Sequence, residues 1–445
     1  MQVSVEQLEG LERRMTIQVP ADDVEKEIQS RLQDLTRKAR IDGFRPGKVP
    51  FKVVKRMYGP QIRQEVVGDM MRSSFQEALV REKLRPAGGP RLDLSTAAEG
   101  GNLEYKATFE VLPDFEPNGI DGLKITRPLA SVSDSDIDAM IETLREQRAT
   151  WHDVERPAQL KDRAMITFTG QIDGADFAGN KADNLPLVLG SGAMVAGFED
   201  KLIGQRTGDE LEFDIHFPAD HPASNLADKI VHFNVKINNI AEPRLPLVDD
   251  SFAANFGIHE NGVEGLRKAL KETMERELNE GIKANVKRQV MQSLLSANDI
   301  ALPQGLVRQE IEQLATQAQF SSKEGDEQAS TTKQQLFGAE ARRRVALGII
   351  VSRLAATQKI QPDPARVQEQ LNAIAASYQD SEAVAQWYRR NPEFMDSIYS
   401  LVLEDQVVDW LLARAEVTDQ PSSFDEIMKP KRRAQNTSAG APAHD

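Results

Sequence analysis

Between residues 151 and 243 the hydrophobic pattern of this 445-residue chain changes period, and that change limits the folds open to it. Inside the block, short strand-like runs at residues 164–169, 210–217 and 232–240 alternate with glycine-rich turns. Outside it, long stretches repeat apolar residues at helical spacing. A β-rich block followed by almost continuous helix is neither one sandwich nor one bundle. It reads as an α+β multidomain protein, and the length allows roughly two to four domains.

Residues 1–113 read as an α+β domain. Two alternating strands flank a turn at Gly10, and a helix over 21–40 carries the stripe Val24, Ile28, Leu32 and Leu35. Helices over 51–57 and 61–84 are expected on either side of Tyr58-Gly59-Pro60, with strands near 91–95 and 102–112. Residues 114–150 read as a linker holding one helix, capped by Ser133-Asp134-Ser135-Asp136. Residues 151–243 form the β-rich domain. Residues 244–428 read as a helical domain, with helices over 263–297, 307–320, 334–357, 364–378 and 392–415. The polar segment 321–332 is expected to be a mobile hairpin tip, and residues 429–445, low in apolar residues, a disordered tail.

A basic island interrupts the first domain. From Arg37 to Arg63 stand nine basic residues and one acid, Asp42, in a chain whose formal net charge is −14. Gly43, Pro46, Gly47 and Pro50 break the helical patterns around Phe44 and Arg45 and force a tight loop. A local field opposed to the global one suits an oriented contact with a polyanion, and an aromatic beside a guanidinium suits a binding anchor. The alternative is a solvated helix connection with ordinary surface lysines.

Conventional chemistry finds no support. There is no cysteine, so no disulfide, thiol nucleophile or cysteine metal site is available. The six histidines show no metal spacing, and no phosphate loop or nucleophile elbow occurs, so neither a metal nor a cofactor is expected. The start lacks a secretory pattern and the longest apolar run, near Val345 to Val351, is too short to span a bilayer. A cytoplasmic protein is the economical reading.

The β-rich block carries an ordered constellation: Met165-Ile166-Thr167-Phe168-Thr169-Gly170, Asp173-Gly174-Ala175-Asp176-Phe177, Leu187-Val188-Leu189-Gly190, Met194-Val195-Ala196-Gly197-Phe198-Glu199 and Val231-His232-Phe233-Asn234-Val235. The order resembles the FKBP-type peptidyl-prolyl isomerase domain. The resemblance implies a pocket lined by Phe168, Phe177, Leu185, Met194, Val195, Phe198 and Phe233, with Phe198 as its floor and His221 in the late loop. Ala178 stands where the family carries an acid, and the late loop offers His221 or Pro222 and no tyrosine. The other reading of these residues is plain filling of a small β core.

With that domain in place, Asp42-Gly43-Phe44-Arg45, Gly47-Lys48-Val49-Pro50, Tyr58-Gly59 and Pro86-Ala87-Gly88 make the whole chain, to about residue 428, resemble the bacterial trigger factor family. The resemblance implies an N-terminal ribosome-binding domain whose loop, Gly43, Phe44, Arg45, Pro46, Gly47 and Lys48, docks beside the polypeptide exit of the large ribosomal subunit on protein and ribosomal RNA. Pro46 replaces a lysine found in some members. It implies further that the long-helix C-terminal domain cradles nascent and unfolded polypeptides without ATP, that the chain forms a homodimer off the ribosome, and that no membrane is involved. Met274, Ile311, Leu314, Leu336, Phe337, Ile349, Ile350, Leu371, Ile374, Tyr378, Phe394, Met395 and Ile398 recur along those helices as apolar spots for clients or as helix-to-helix packing. Three other classes remain open from the residues: a cytosolic isomerase with helical arms and no ribosome contact, a periplasmic chaperone-isomerase, and an RNA-binding protein using the basic island.

Overall fold

The computed structural model describes residues 1–38, 44, 49–96, 101–172, 174–177, 180–218, 226–320, 327–378 and 380–428. The chain forms two compact units, one of residues 1–126 and 286–418, the other of residues 127–285 and the segment beginning at Asp419.

The first unit opens with β1 (Gln2–Gln7) and β2 (Glu12–Val19), joined through Gly10 at φ +57°. Next come α1 (Ala21–Lys38), α2 (Phe51–Arg81), β3 (Arg91–Thr96) and β4 (Leu103–Glu110). The antiparallel sheet has the order β1-β2-β4-β3. Alternation on β2 and β4 turns Met15, Ile17, Leu103, Tyr105, Ala107 and Phe109 inward, against Val24, Ile28 and Leu32 of α1 and a stripe on α2.

The expected break at Tyr58-Gly59-Pro60 does not occur: α2 is one helix of 31 residues with Pro60 inside it. An internal proline costs about 3 kcal/mol. Val54, Ile62 and Val66 are buried on one face at four-residue steps, and half-buried Tyr58 fills the step between Val54 and Ile62. Burying each such side chain contributes roughly 1.5–3 kcal/mol, so continuous packing outweighs the missing backbone bond.

β5 (Lys124–Leu129) follows, then α3 (Asp134–Gln147) in the second unit. Ser133 caps α3 in a reciprocal box with Asp136, as the sequence indicated. The β-rich block then supplies β6 (Thr150–Asp153), β7 (Arg163–Gln171), β8 (Lys181–Val188), α4 (Phe198–Leu202), β9 (Glu210–His216) and β10 (Ile230–Arg244). β10 is the spine. One edge pairs with β7, which carries β8, while the other edge pairs first with β9 and then with β6. Val231, Phe233, Val235 and Ile237 of β10 and Ala164, Ile166 and Phe168 of β7 face one core.

After α5 (Asp250–Ala254) and α6 (Gly262–Ala297), the described chain runs through α7 (Gln304–Gln317), α8 (Glu327–Gln358), α9 (Pro364–Ala375), α10 (Ser381–Arg390), α11 (Pro392–Leu412) and β11 (Glu416–Pro421), which pairs with β5. The sequence reading had left α10 and β11 unassigned. Within the second unit, Phe252, Leu266, Met274 and Leu278 pack with Ile137 and Ile141 of α3 and with Phe424. Within the first unit, α7 and α8 share a core around Ile311, Leu314 and Ala341, while α9, α10 and α11 share another around Leu371, Ala385, Ile398 and Val402. The carboxylate of Glu110, at the end of β4, accepts bonds from the Gln304 and Gly305 N–H groups at 2.8 and 2.7 Å. It thereby satisfies two free donors at the start of α7. The expected hairpin tip at 321–332 falls partly, and the tail at 429–445 wholly, outside the described residues.

Candidate functional site

The apolar cluster of the β-rich domain is built on five phenylalanine rings. Phe168 comes from β7, Phe198 from the first turn of α4, Phe213 from β9, Phe217 from just beyond it and Phe233 from β10. Phe198 has no exposed surface. Its ring meets Phe233 edge-on at 5.1 Å, Phe213 at 5.3 Å and Phe168 at 5.9 Å. Phe168 and Phe233 stand 5.9 Å apart and are themselves nearly buried. Phe177, Leu185, Met194 and Val195 are half-buried and pack against the same cluster. Seven of the eight residues expected at the site belong to this one core cluster or pack against it. His221 and Ala178 lie outside the described residues.

Glycine enforces the ring packing. A Cβ on Gly170 would stand 2.9 Å from Cε1 of Phe233, so β7 can approach the ring only without a side chain there. Sequence reading missed Phe213 and Phe217 as members of the cluster. The signal was present: Leu211, Phe213, Ile215 and Phe217 alternate through β9 and point one way. A wall of apolar side chains with no ionisable group among its nine described members can desolvate and bend an amide, and offers no acid or base.

In the first unit, Phe44 is exposed, at 41%, while Val49 is buried in the core beside α2. Gly43, Arg45, Pro46, Gly47, Lys48 and Arg40 lie outside the described residues, as does the side chain of Lys38. Lys52, Lys55 and Arg56 project from the first turns of α2 into solvent. Arg63 has a structural task instead: it pairs with Glu25 at 2.7 Å and ties α2 to α1. Arg37 pairs with Asp34 at 3.7 Å. The usable field of the island is therefore smaller than its sequence count.

Along the helices, six of the apolar residues singled out as client contacts are core: Met274, Ile311, Leu314, Ile350, Leu371 and Ile398 are buried between helices. Leu336, Tyr378 and Phe394 are exposed, and so are Trp387, Tyr399 and Leu401, which the sequence reading did not select. The Trp387 and Phe394 rings lie 4.6 Å apart, tilted to one another, with Tyr388 beside them, an aromatic knuckle at the α10–α11 junction.

The comparisons with known proteins divide the chain as its texture does. The family model described as FKBP-type peptidyl-prolyl cis-trans isomerase matches residues 154–238. The two described as bacterial trigger factor protein and bacterial trigger factor protein C-terminus match residues 1–144 and 262–413. Among curated relatives, the trigger factor of Thioalkalivibrio sulfidiphilus is 46% identical over 432 residues, covering 97% of this chain and 99% of that protein. The trigger factor of Alkalilimnicola ehrlichii is 44% identical over 446 residues, covering 100% and 99%. That of Pseudomonas fluorescens is 45% identical over 437 residues, covering 98% and 100%. A solved structure described as "Promiscuous Substrate Recognition in Folding and Assembly Activities of the Trigger Factor Chaperone" covers 93% of this chain and 99% of its own at 16% identity and a TM-score of 0.45.

The ring-lined sheet domain and the helical frame around it in sequence are those of a multidomain folding factor with an FKBP-type isomerase domain. The chain belongs to the bacterial trigger factor family.

Proposed function

We propose that the chain works as a ribosome-tethered folding factor with three divided tasks. As a trigger factor it is a ribosome-associated chaperone that binds nascent polypeptides and catalyses cis/trans isomerisation of X–Pro bonds. The proposal concerns where each task resides. Docking falls to the N-terminal domain, residues 1–113, through Gly43, Phe44, Arg45, Pro46, Gly47 and Lys48. Phe44 supplies the anchor, and the exposed cations of α2 attract ribosomal RNA beside the polypeptide exit. Isomerisation falls to residues 151–243, and client capture to residues 244–428. The setting is the cytoplasm; partners are the large subunit, unfolded chains and, off the ribosome, a second copy.

One observation carries the isomerase assignment: Phe168, Phe177, Leu185, Met194, Val195, Phe198 and Phe233 converge on a single apolar cluster without a titratable side chain among them. Rotation about a prolyl amide leaves a planar, resonance-stabilised ground state and crosses a barrier of about 18–20 kcal/mol. The twisted amide has lost that resonance and is less polar. A dry, rigid, ring-lined wall favours it over the planar form, and only such differential binding raises the rate. The Val195 N–H makes no hydrogen bond among the described residues and is the rim's donor for a peptide carbonyl.

Client capture is supported by the exposed rings of Trp387 and Phe394, backed by half-buried Tyr388, and by exposed Leu336, Tyr378, Tyr399 and Leu401. Separated apolar spots suit weak, sequence-tolerant holding. The division is tested by replacing residues 151–243 with a short linker. The variant is expected to lose isomerase activity and still suppress aggregation of a refolding client that has no slow proline step. Loss of suppression by a well-folded variant would move client capture into the barrel.

A further inference from the structure

Glu199 follows the cleft's central ring in sequence, and no role in the cleft has yet been given to it. Its side chain is buried, at 7% exposure, and among the described residues no cation pairs with it. A buried carboxylate without a cation needs dipolar partners. One loop supplies them. The Gly190 and Gly192 N–H groups donate to Oε2 at 2.6 and 3.2 Å; the Met194 N–H and the Ser191 hydroxyl donate to Oε1 at 3.2 and 3.4 Å.

The remaining donors of that loop are also placed. The Ser191 N–H donates to the Val188 carbonyl at 3.2 Å, and the Ala193 N–H to the Ser191 hydroxyl at 3.3 Å. Every backbone N–H from Gly190 to Met194 thus has an acceptor, and Glu199 takes three of the five. The backbone must curl to point its donors at one carboxylate, and it does so with Gly190 at φ +88° and Gly192 at φ +71°. The loop ends on Met194 and Val195, the rim of the cleft, and the Val195 carbonyl accepts the Phe198 N–H at 3.1 Å. Two neighbouring residues of α4 therefore reach both parts of the site. Phe198 enters the ring cluster below, and Glu199 grips the loop above.

We propose that Glu199 is a positioning residue for isomerisation: its carboxylate holds the 190–194 loop in the one curl that sets Met194 and Val195 at the rim. The proposal rests on the isomerase reading of this barrel. Glu199 touches no substrate; it fixes the groups that do. A glutamine there has one oxygen, and its NH₂ faces either the Gly190 and Gly192 donors or the Met194 donor, so one end of the loop comes loose.

The test uses the full-length chain with ¹⁵N-labelled glycine and methionine. In the unaltered protein the Gly190, Gly192 and Met194 amides exchange with solvent more slowly than the Gly197 amide, which has no partner among the described residues. In Glu199→Gln the amides at the end that faces the NH₂, either Gly190 and Gly192 or Met194, exchange at least about tenfold faster and shift upfield, the Met165 and Gly170 amides of β7 are unchanged, and kcat/KM for a prolyl peptide falls by about tenfold to a hundredfold. A merely structural role would instead speed exchange throughout the barrel. Ser191→Ala, which removes one bond to Glu199 and the Ala193 tether, should produce the same local pattern at a smaller scale, and it decides the matter if Glu199→Gln does not fold. Unprotected loop amides in the unaltered protein overturn the proposal. So does normal kcat/KM in a folded Glu199→Gln or Ser191→Ala whose loop amides have loosened. An unaltered chain with no isomerase activity at all overturns the isomerase reading instead.

Discussion

Phe198→Ala should separate a structural keystone from an ordinary core residue. The ring is completely enclosed and makes three edge-on contacts, to Phe168, Phe213 and Phe233, at 5.1–5.9 Å. Removing a buried phenylalanine costs about 3–5 kcal/mol, and each aromatic pair accounts for roughly 0.5–1.5 kcal/mol of such a loss. The backbone around the cavity is that of β7 and β9, each hydrogen-bonded to β10, so these strands cannot close in. That places the cost near the top of the range, about 4–5 kcal/mol. A domain of this size is stable by about 5–15 kcal/mol, so the barrel should remain folded but marginal. Hydrogen exchange at the centres of β7 and β10, where opening is global, should accelerate by about 10³-fold or more, since 1.36 kcal/mol is tenfold. Isomerisation of a peptide with an aromatic residue before proline should fall by about a hundredfold as Phe168 and Phe233 tilt into the void. Phe198→Leu keeps most of the volume and separates the effects: exchange should change far less while activity still falls. Exchange accelerated less than about tenfold in Phe198→Ala, or activity within twofold of normal, would refute the reasoning.

Gly170→Ala should impair the same cleft from the opposite side. Its Cβ would stand 2.9 Å from the Phe233 ring, so overpacking should cost about 1–3 kcal/mol and lower kcat/KM; unchanged activity would mean that the Phe233 position is not critical. The Asp249 carboxyl is held below its ordinary range by the Ser251 hydroxyl and then by the Phe252 N–H, which anchor α5 and its buried Phe252. A depressed carboxyl stabilises the fold above its unfolded pKa, about 3.9, and that contribution is lost as pH falls through the lower folded value. The fall in denaturant midpoint between about pH 6 and pH 3 should therefore be smaller in Asp249→Asn than in the unaltered chain, and equal falls would count against the assignment.

Much of the architecture can be read from period alone. Alternation through β7 and β10 and the stripe of Val24, Ile28 and Leu32 each reflect one buried face, and burial leaves a pattern. Features without such a pattern were invisible. Every residue of β11 is exposed, so its strand conformation comes from pairing with β5 and not from alternation. α10 is not such a case: its ten residues are strongly amphipathic, so its period was there to be read and was passed over between two longer helices. Pro60 misled because its local cost is easily seen and the distant packing of Val54, Tyr58 and Ile62 is not.

The site was legible to the extent that it is made of side chains in a fixed order. The seven apolar residues could be named as candidates because the family resemblance carries them. Glu199 stood in the same motif without a role, since its partners are backbone N–H groups that no residue name reveals. The client surface was least legible. On a long helix an apolar residue that packs against a neighbouring helix has the same letter as one left in water. Only the placement of Ile350 and Leu371 inside, and of Leu336 and Phe394 outside, distinguishes them.

Co-sedimentation with ribosomes tests the central claim most directly. The unaltered chain and a variant with Phe44, Arg45 and Pro46 all replaced by alanine are spun with ribosomes at several salt concentrations. The unaltered chain should pellet with ribosomes and be released as salt rises, because cations on α2 that contact phosphates give up their advantage as counterions become abundant. The triple variant should stay in the supernatant at every salt concentration while retaining its fold and its isomerase activity. Pelleting of the triple variant to the same extent as the unaltered chain would contradict the account, and would leave an isomerase with helical arms whose ribosome contact lies elsewhere.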